Sequence, residues 1–308
     1  MTSDLNERKI NRVKGLTLIE LLIAMAISAV LSAAIYRTFI GQHKTYTAQE
    51  QVVDMQQNAR IAINRMMREI RMAGFGNVSN LLPLTAFTTF NGLQVLTLNN
   101  IITPSDNKNN VVQSDDQITI IGAFEQISTL AAVPTVGTNT IQLSGRASEF
   151  DNGYRKYICI GGLETHTATN VDIPSNTITL NENVVNNFPV GTSVFKVKAI
   201  TYRLRWDNSS PNMPVLTRED NTDGGGTQVV AENIEDLQFR YILDDKSESD
   251  SPADASKIRL VRVTVNARTR IPDLEFKADP EFKAGTGGFR RRTITSNILV
   301  RNNMGLNP

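Results

Sequence analysis

Cysteine is almost missing from this chain. Cys159 stands alone among 308 residues, so no internal disulfide can staple the fold. Its neighbours Tyr157, Ile158 and Ile160 are apolar, which predicts a small buried side chain in place of a reactive thiol. Histidine is nearly as scarce. His43 and His166 are the two present, and neither has a Cys or a second His beside it. A zinc or copper site of the usual ligand types therefore has nothing to build on, and no Ser-His pair can be read from residue order. A net charge is lacking too: 32 Lys and Arg face 31 Asp and Glu, so nothing global draws the chain to nucleic acid or an acidic substrate. Gly224-Gly225-Gly226 is not followed by Gly-Lys-Ser/Thr and is no phosphate cradle. No enzyme, cofactor or small-molecule substrate is predicted.

What is present begins at the amino terminus. Leu16 to Tyr36 reads LTLIELLIAMAISAVLSAAIY, long enough for the roughly 20 residues that cross a hydrocarbon layer. Arg8, Lys9, Arg12 and Lys14 precede it against Asp4 and Glu7, a basic flank that keeps this end in the cytoplasm and sends the rest outward. Glu20 is the single charge inside the run. A carboxylate there is costly, on the order of 2.5–3.5 kcal/mol at a helix centre and less near an end, so something must compensate it. A secretory signal cut near Ser32-Ala33-Ala34, or a plain signal anchor, would also supply an apolar run, but neither calls for a charge within it.

The junction Lys14-Gly15-Leu16-Thr17-Leu18-Ile19-Glu20-Leu21-Leu22 resembles the processing and assembly signature of type IV prepilins. The resemblance implies that prepilin peptidase cuts after Gly15 and N-methylates Leu16, and that Glu20 acts in assembly. A new ammonium at Leu16 and a carboxylate at Glu20 are opposite charges that can pair between neighbouring subunits in a low-dielectric filament core.

Residues 38 to 73 contain no proline and one glycine, Gly41, so the helix is predicted to run on beyond the apolar segment. Val52, Ala59, Ile63, Met66, Ile70 and Ala73 form an apolar stripe, with Gln56 in register and Arg60, Asn64, Arg68 and Arg71 elsewhere. From Leu16 to Ala73 such a helix would span roughly 85–90 Å, and Gly74 and Gly76 supply its stop. The stretch from Arg60 to Gly76 also resembles the PilW group of minor pilins; where many of that group place a cysteine just past the turn, this chain has Asn77.

Beyond Gly76 the period becomes two. Ile200, Tyr202, Leu204 and Trp206 alternate with polar residues, as do Leu237, Phe239, Tyr241 and Leu243; Val261, Val263, Val265 and Ala267; and Ile294, Ser296, Ile298 and Val300. These predict an antiparallel sheet on which the helical stripe is buried. Asn233 to Tyr241 and Ile258 to Val263 are similar to late strands of PilW-type chains and of type II secretion pseudopilins. Between 133 and 198 short strands and two similar phrases, Thr138 to Leu143 and Ser175 to Leu180, suggest a small β-barrel or sandwich inserted into the sheet. Asp220, Asp223, Asp244 and Asp245 crowd two loops as candidate calcium ligands, though their spacing matches no ordered calcium loop. Arg290-Arg291-Arg292 reads as a solvated strand edge that resists aggregation.

The predicted class is α+β, a pilin-like long N-terminal helix packed on an antiparallel β-sheet. Its expected parts are a leader at 1–15, a membrane and filament-core half-helix at 16–36, a periplasmic half at 37–76, a globular β domain at 77–132 and 199–308, and the insert at 133–198. The resemblance implies a minor pilin of the inner membrane and, after assembly, of the pilus. Its partners would be other minor pilins, the major pilin and prepilin peptidase. It would prime pilus assembly and stand at the tip. A type II secretion pseudopilin, and an adhesin or DNA-binding surface protein on a pilin anchor, are the alternatives.

Overall fold

The absence of proline between Leu16 and Pro83 shows first in the backbone. In the computed structural model, which describes residues 17–88, 94–105, 116–151, 156–207, 213–222, 226–273 and 288–302, one α-helix, α1, runs from Leu18 to Met72. It stops where expected: Gly74 and Gly76 adopt φ of 80° and 94°, a left-handed conformation that glycine enters without a Cβ penalty. The Gly74 amide donates to the Ile121 carbonyl and the Ala123 amide to that of Phe75, tying the helix end to the sheet. The chain divides into two compact units, Met1–Glu50 and Gln51–Pro308.

In the second unit the strands are β1 (Leu84–Thr88), β2 (Gln94–Leu98), β3 (Ile102–Ser105), β4 (Gln117–Thr129), β5 (Thr140–Gln142), β6 (Tyr157–Ile160), β7 (Glu164–Asp172) and β8 (Thr177–Leu180). They continue with β9 (Ser193–Trp206), β10 (Pro214–Asp220), β11 (Thr227–Glu232), β12 (Ile234–Leu243), β13 (Glu248–Ser249), β14 (Ile258–Arg268) and β15 (Arg291–Leu299). All their pairings are antiparallel. The four alternating segments read as one sheet are split between two. Ile200–Trp206 lies in β9 of a nine-stranded sheet, whereas β12, β14 and β15 join β13 in a four-stranded one. Periodicity reports which face of a strand is dry, and says nothing of which neighbour it pairs with.

Both sheets share one core with α1. Met55, Ala59, Ala62, Ile63, Met66 and Ile70 pack with Ile118, Ile120, Ile200, Tyr202 and Leu204 of the larger sheet and with Leu237, Phe239, Val261, Val263 and Val265 of the smaller. The stripe from Val52 to Ala73 is thus inward-facing, and Arg60, Asn64, Arg68 and Arg71 are exposed.

The segment 133–198 is β-rich, and its strands extend the nine-stranded sheet. Strand β9 pairs along the length of β4 with two register shifts, while its other edge pairs with β6 at one end and β10 at the other. The two similar phrases meet, Ile141 standing opposite Ile178. A separate core of Leu130, Ile141, Leu143, Phe150, Ile158, Ile178, Leu180, Phe188 and Val194 fills this region.

Candidate functional site

Thr17 and Glu20 open α1 as a reciprocal cap. The Thr17 backbone amide donates to the Glu20 carboxylate at 2.8 Å, the Thr17 hydroxyl donates to the same oxygen at 2.9 Å, and the Glu20 amide donates back to that hydroxyl at 3.3 Å. Helix starts leave backbone N–H groups without partners, and a Thr-x-x-Glu pattern satisfies two of them at once. Thr17 is the residue that sequence reasoning passed over, although the pattern was there to be read. Gly15 and Leu16 lie outside the described residues. Beyond the cap, Leu18 to Tyr36 is exposed along its whole length in the isolated chain, and α1 is long and apolar enough to cross a membrane.

The acidic candidates that the structure describes are each engaged by neighbours within the chain. Burial would raise the Asp220 carboxyl, but Lys198, 3.1 Å away, and the Thr222 hydroxyl and amide outweigh it and hold the group below its ordinary range. Asp244 lies 3.7 Å from the Arg259 guanidinium, and Asp245 accepts from the amide and hydroxyl of Ser247. Asp223 is outside the described residues. Among the described residues no group of three or more His, Cys, Asp or Glu is placed to hold a metal. Two of the arginines at 290–292 are less solvated than expected: half-buried Arg291 pairs with Glu235 at 2.8 Å and half-buried Arg290 with Asp273 at 2.9 Å, while Arg292 is exposed.

Cys159 is fully buried, its Sγ 3.6 Å from the Gly76 carbonyl oxygen. Burial pushes its thiol up to about 12, so the nucleophilic thiolate is nearly absent at neutral pH. The native chain is expected to resist a maleimide at pH 7 and to react fully once denatured. Rapid labelling of folded protein, followed by mass spectrometry, would contradict this burial.

The largest departure from sequence reasoning is Glu69, which lies on α1 beside charged neighbours yet is 6% exposed. Tyr202 donates its hydroxyl to Glu69 Oε2 at 2.7 Å, and Arg218 Nε donates to Oε1 at 3.0 Å and Oε2 at 3.1 Å. Arg65, one turn earlier and partly exposed, adds a contact at 3.0 Å. Burial and the facing carboxylate both push the Tyr202 phenol upward, so it remains a donor. The cluster fastens the helix to β9 and β10.

Residues 10–36 match the family described as the prokaryotic N-terminal methylation motif. No curated protein and no solved structure matches the chain. The matched motif, on a long apolar helix that continues onto antiparallel sheets, supports a structural protein of the type IV pilin or pseudopilin type. Such a motif fits a membrane-anchored chain handled by the pilin machinery.

Proposed function

We propose that this chain is a minor pilin of the PilW-like kind, which joins other minor pilins to prime type IV pilus assembly and stands at the pilus tip. Prepilin peptidase cuts after Gly15 and methylates Leu16, leaving the globular unit in the periplasm until assembly. The single observation that carries this reading is the carboxylate of Glu20 held beside the Thr17 amide, one residue from the terminus that cleavage would create. In the isolated chain the cap offsets part of the cost of a carboxylate in an apolar run. In a filament, a neighbour's ammonium at Leu16 would take over that role, and a misplaced subunit would leave the acid unpaired in a dry environment. The β-rich region 133–198 and its loops are the part of the chain available for contact with the remaining minor pilins.

The test separates cap from charge. Gln serves in the third helical position of a capping box as well as Glu does, but carries no charge. Glu20→Gln is expected to insert in the membrane normally and to fail in assembly as fully as Glu20→Ala, scored by filament counts and recovery of the chain in sheared pili. Normal piliation with Glu20→Gln would reduce Glu20 to a helix cap and overturn its role in registration.

A further inference from the structure

The four-stranded sheet ends in an edge that no described strand closes. Strand β15 pairs with β14 along one side, and among the described residues nothing pairs with the other. The Val300 amide donates to the Arg259 carbonyl and the Thr269 amide to that of Arg290, which fixes the phase of the ladder between them. Even-numbered residues of β15 therefore turn their amides and carbonyls toward β14, while Thr293, Thr295, Asn297 and Leu299 turn theirs outward. Among the described residues no group bonds to those four amides, and all four residues are exposed.

A row of unpaired backbone groups is a template for another strand, and folded proteins blunt it with shortness, a bulge, proline or lysine. The other strands that end a sheet are short. Strands β1 and β2 hold five residues each, β3 four with Pro104 among them, β5 three, β11 six and β13 two. Strand β15 holds nine, pairs without a register shift and carries neither proline nor lysine. On its core side, half-buried Ile294 is left for an added strand to cover.

Charge decides what that strand is. Arg292 and Arg301 are exposed and, among the described residues, meet no carboxylate, and every residue from Thr293 to Val300 is uncharged. The edge is thus a neutral row with a cation at each end, the two about 30 Å apart. A second copy of the chain fits it badly. Laid antiparallel over nearly the whole edge, it sets Arg301 opposite Arg290, Arg291 or Arg292 at both ends, whichever register is taken. Laid parallel and in register, it sets each arginine beside its own counterpart, and like charges so placed are destabilising. The complement is a strand with a neutral middle and an acid at either end.

We infer that the outer edge of β15 takes up an extended segment of a different protein chain as an added strand, its uncharged middle hydrogen-bonded along residues 293–299 and its acidic ends paired with Arg292 and Arg301. Such an edge holds its partner by the backbone, whether or not the chain assembles as a pilin.

The probe is a synthetic ten-residue peptide, glutamate at each end and alternating valine and threonine between, added to the detergent-solubilised full chain. Hydrogen exchange is read at single amides by mass spectrometry with fragmentation along the chain. Without peptide, the amides of Thr293, Thr295, Asn297 and Leu299 are expected to exchange freely while that of Ile298 is protected; with it, all four slow. The same peptide N-methylated throughout leaves them unchanged, and one with lysine ends binds about tenfold more weakly at low salt. The double variant Arg292→Glu with Arg301→Glu reverses that preference, and both positions are exposed, so the fold is retained. Protection of the four amides in the chain alone at every dilution would show that the chain already covers this edge, and protection that grows with chain concentration would make a second copy the occupant. Either result overturns the inference, as does slowing by both peptides alike or by neither.

Discussion

Glu69→Ala is expected to lower the unfolding free energy by about 3–5 kcal/mol, the range for breaking a buried pair by removing one partner. The substitution strands the Arg218 guanidinium and the Tyr202 hydroxyl, both buried, opposite the space the carboxylate leaves. The cost is therefore desolvation without compensation, not the loss of a surface ion pair, which would be on the order of 0–1 kcal/mol. Glu69→Gln keeps a carbonyl acceptor for one of the two donors and is expected to cost less. Replacing Glu69 and Arg218 together by Met removes both charges and is expected to recover part of the loss, because an apolar pair of similar volume leaves no buried charge unpaired. Trp206 is the single tryptophan and lies at the end of β9, so its fluorescence during denaturation of the detergent-solubilised chain provides the measurement. A Glu69→Ala cost below about 1 kcal/mol would show that Glu69 is solvated and that the cluster does not fasten the helix.

Gly76→Ala is expected to cost roughly 2–5 kcal/mol, combining a left-handed backbone penalty of about 1–2 with overpacking of about 1–3. A Cβ on Gly76 would stand 2.7 Å from the Cys159 sulfur and 2.9 Å from the Ala123 Cβ, closer than such atoms approach. Gly137 supplies the control, since its φ of 86° is similar but no heavy atom lies within 4 Å of its added Cβ. Gly137→Ala should therefore show the backbone part alone. Equal losses at the two positions, measured by thermal unfolding, would mean that Cys159 yields freely and that the helix end is not packed as described.

The helix was legible because what ends helices is absent from it: no proline follows Leu16 until well past Met72, and the stop is written as Gly74 and Gly76. Its buried stripe was legible because burial repeats locally. Glu69 was not, since its partners Tyr202 and Arg218 lie 133 and 149 residues away, and a charge flanked by Arg65, Arg68 and Arg71 looks like surface. The same distance in sequence hid the division into two sheets, because Tyr202 and Leu237 alternate alike but pair with different neighbours. The similar phrases around Ile141 and Ile178 were visible as a repeat, and their direct pairing emerged only in the fold. At the candidate site Glu20 stood out by its cost, while Thr17 was overlooked because a threonine in an apolar run attracts no notice until its carboxylate partner is seen.

The most direct test of the pilin reading is the amino-terminal residue of the mature chain recovered from its own cells, read by intact mass and terminal sequencing. The account predicts a chain that begins at N-methylated Leu16, four residues ahead of Glu20. A chain that retains Gly15 and the residues before it, or one trimmed near Ala34, would contradict it.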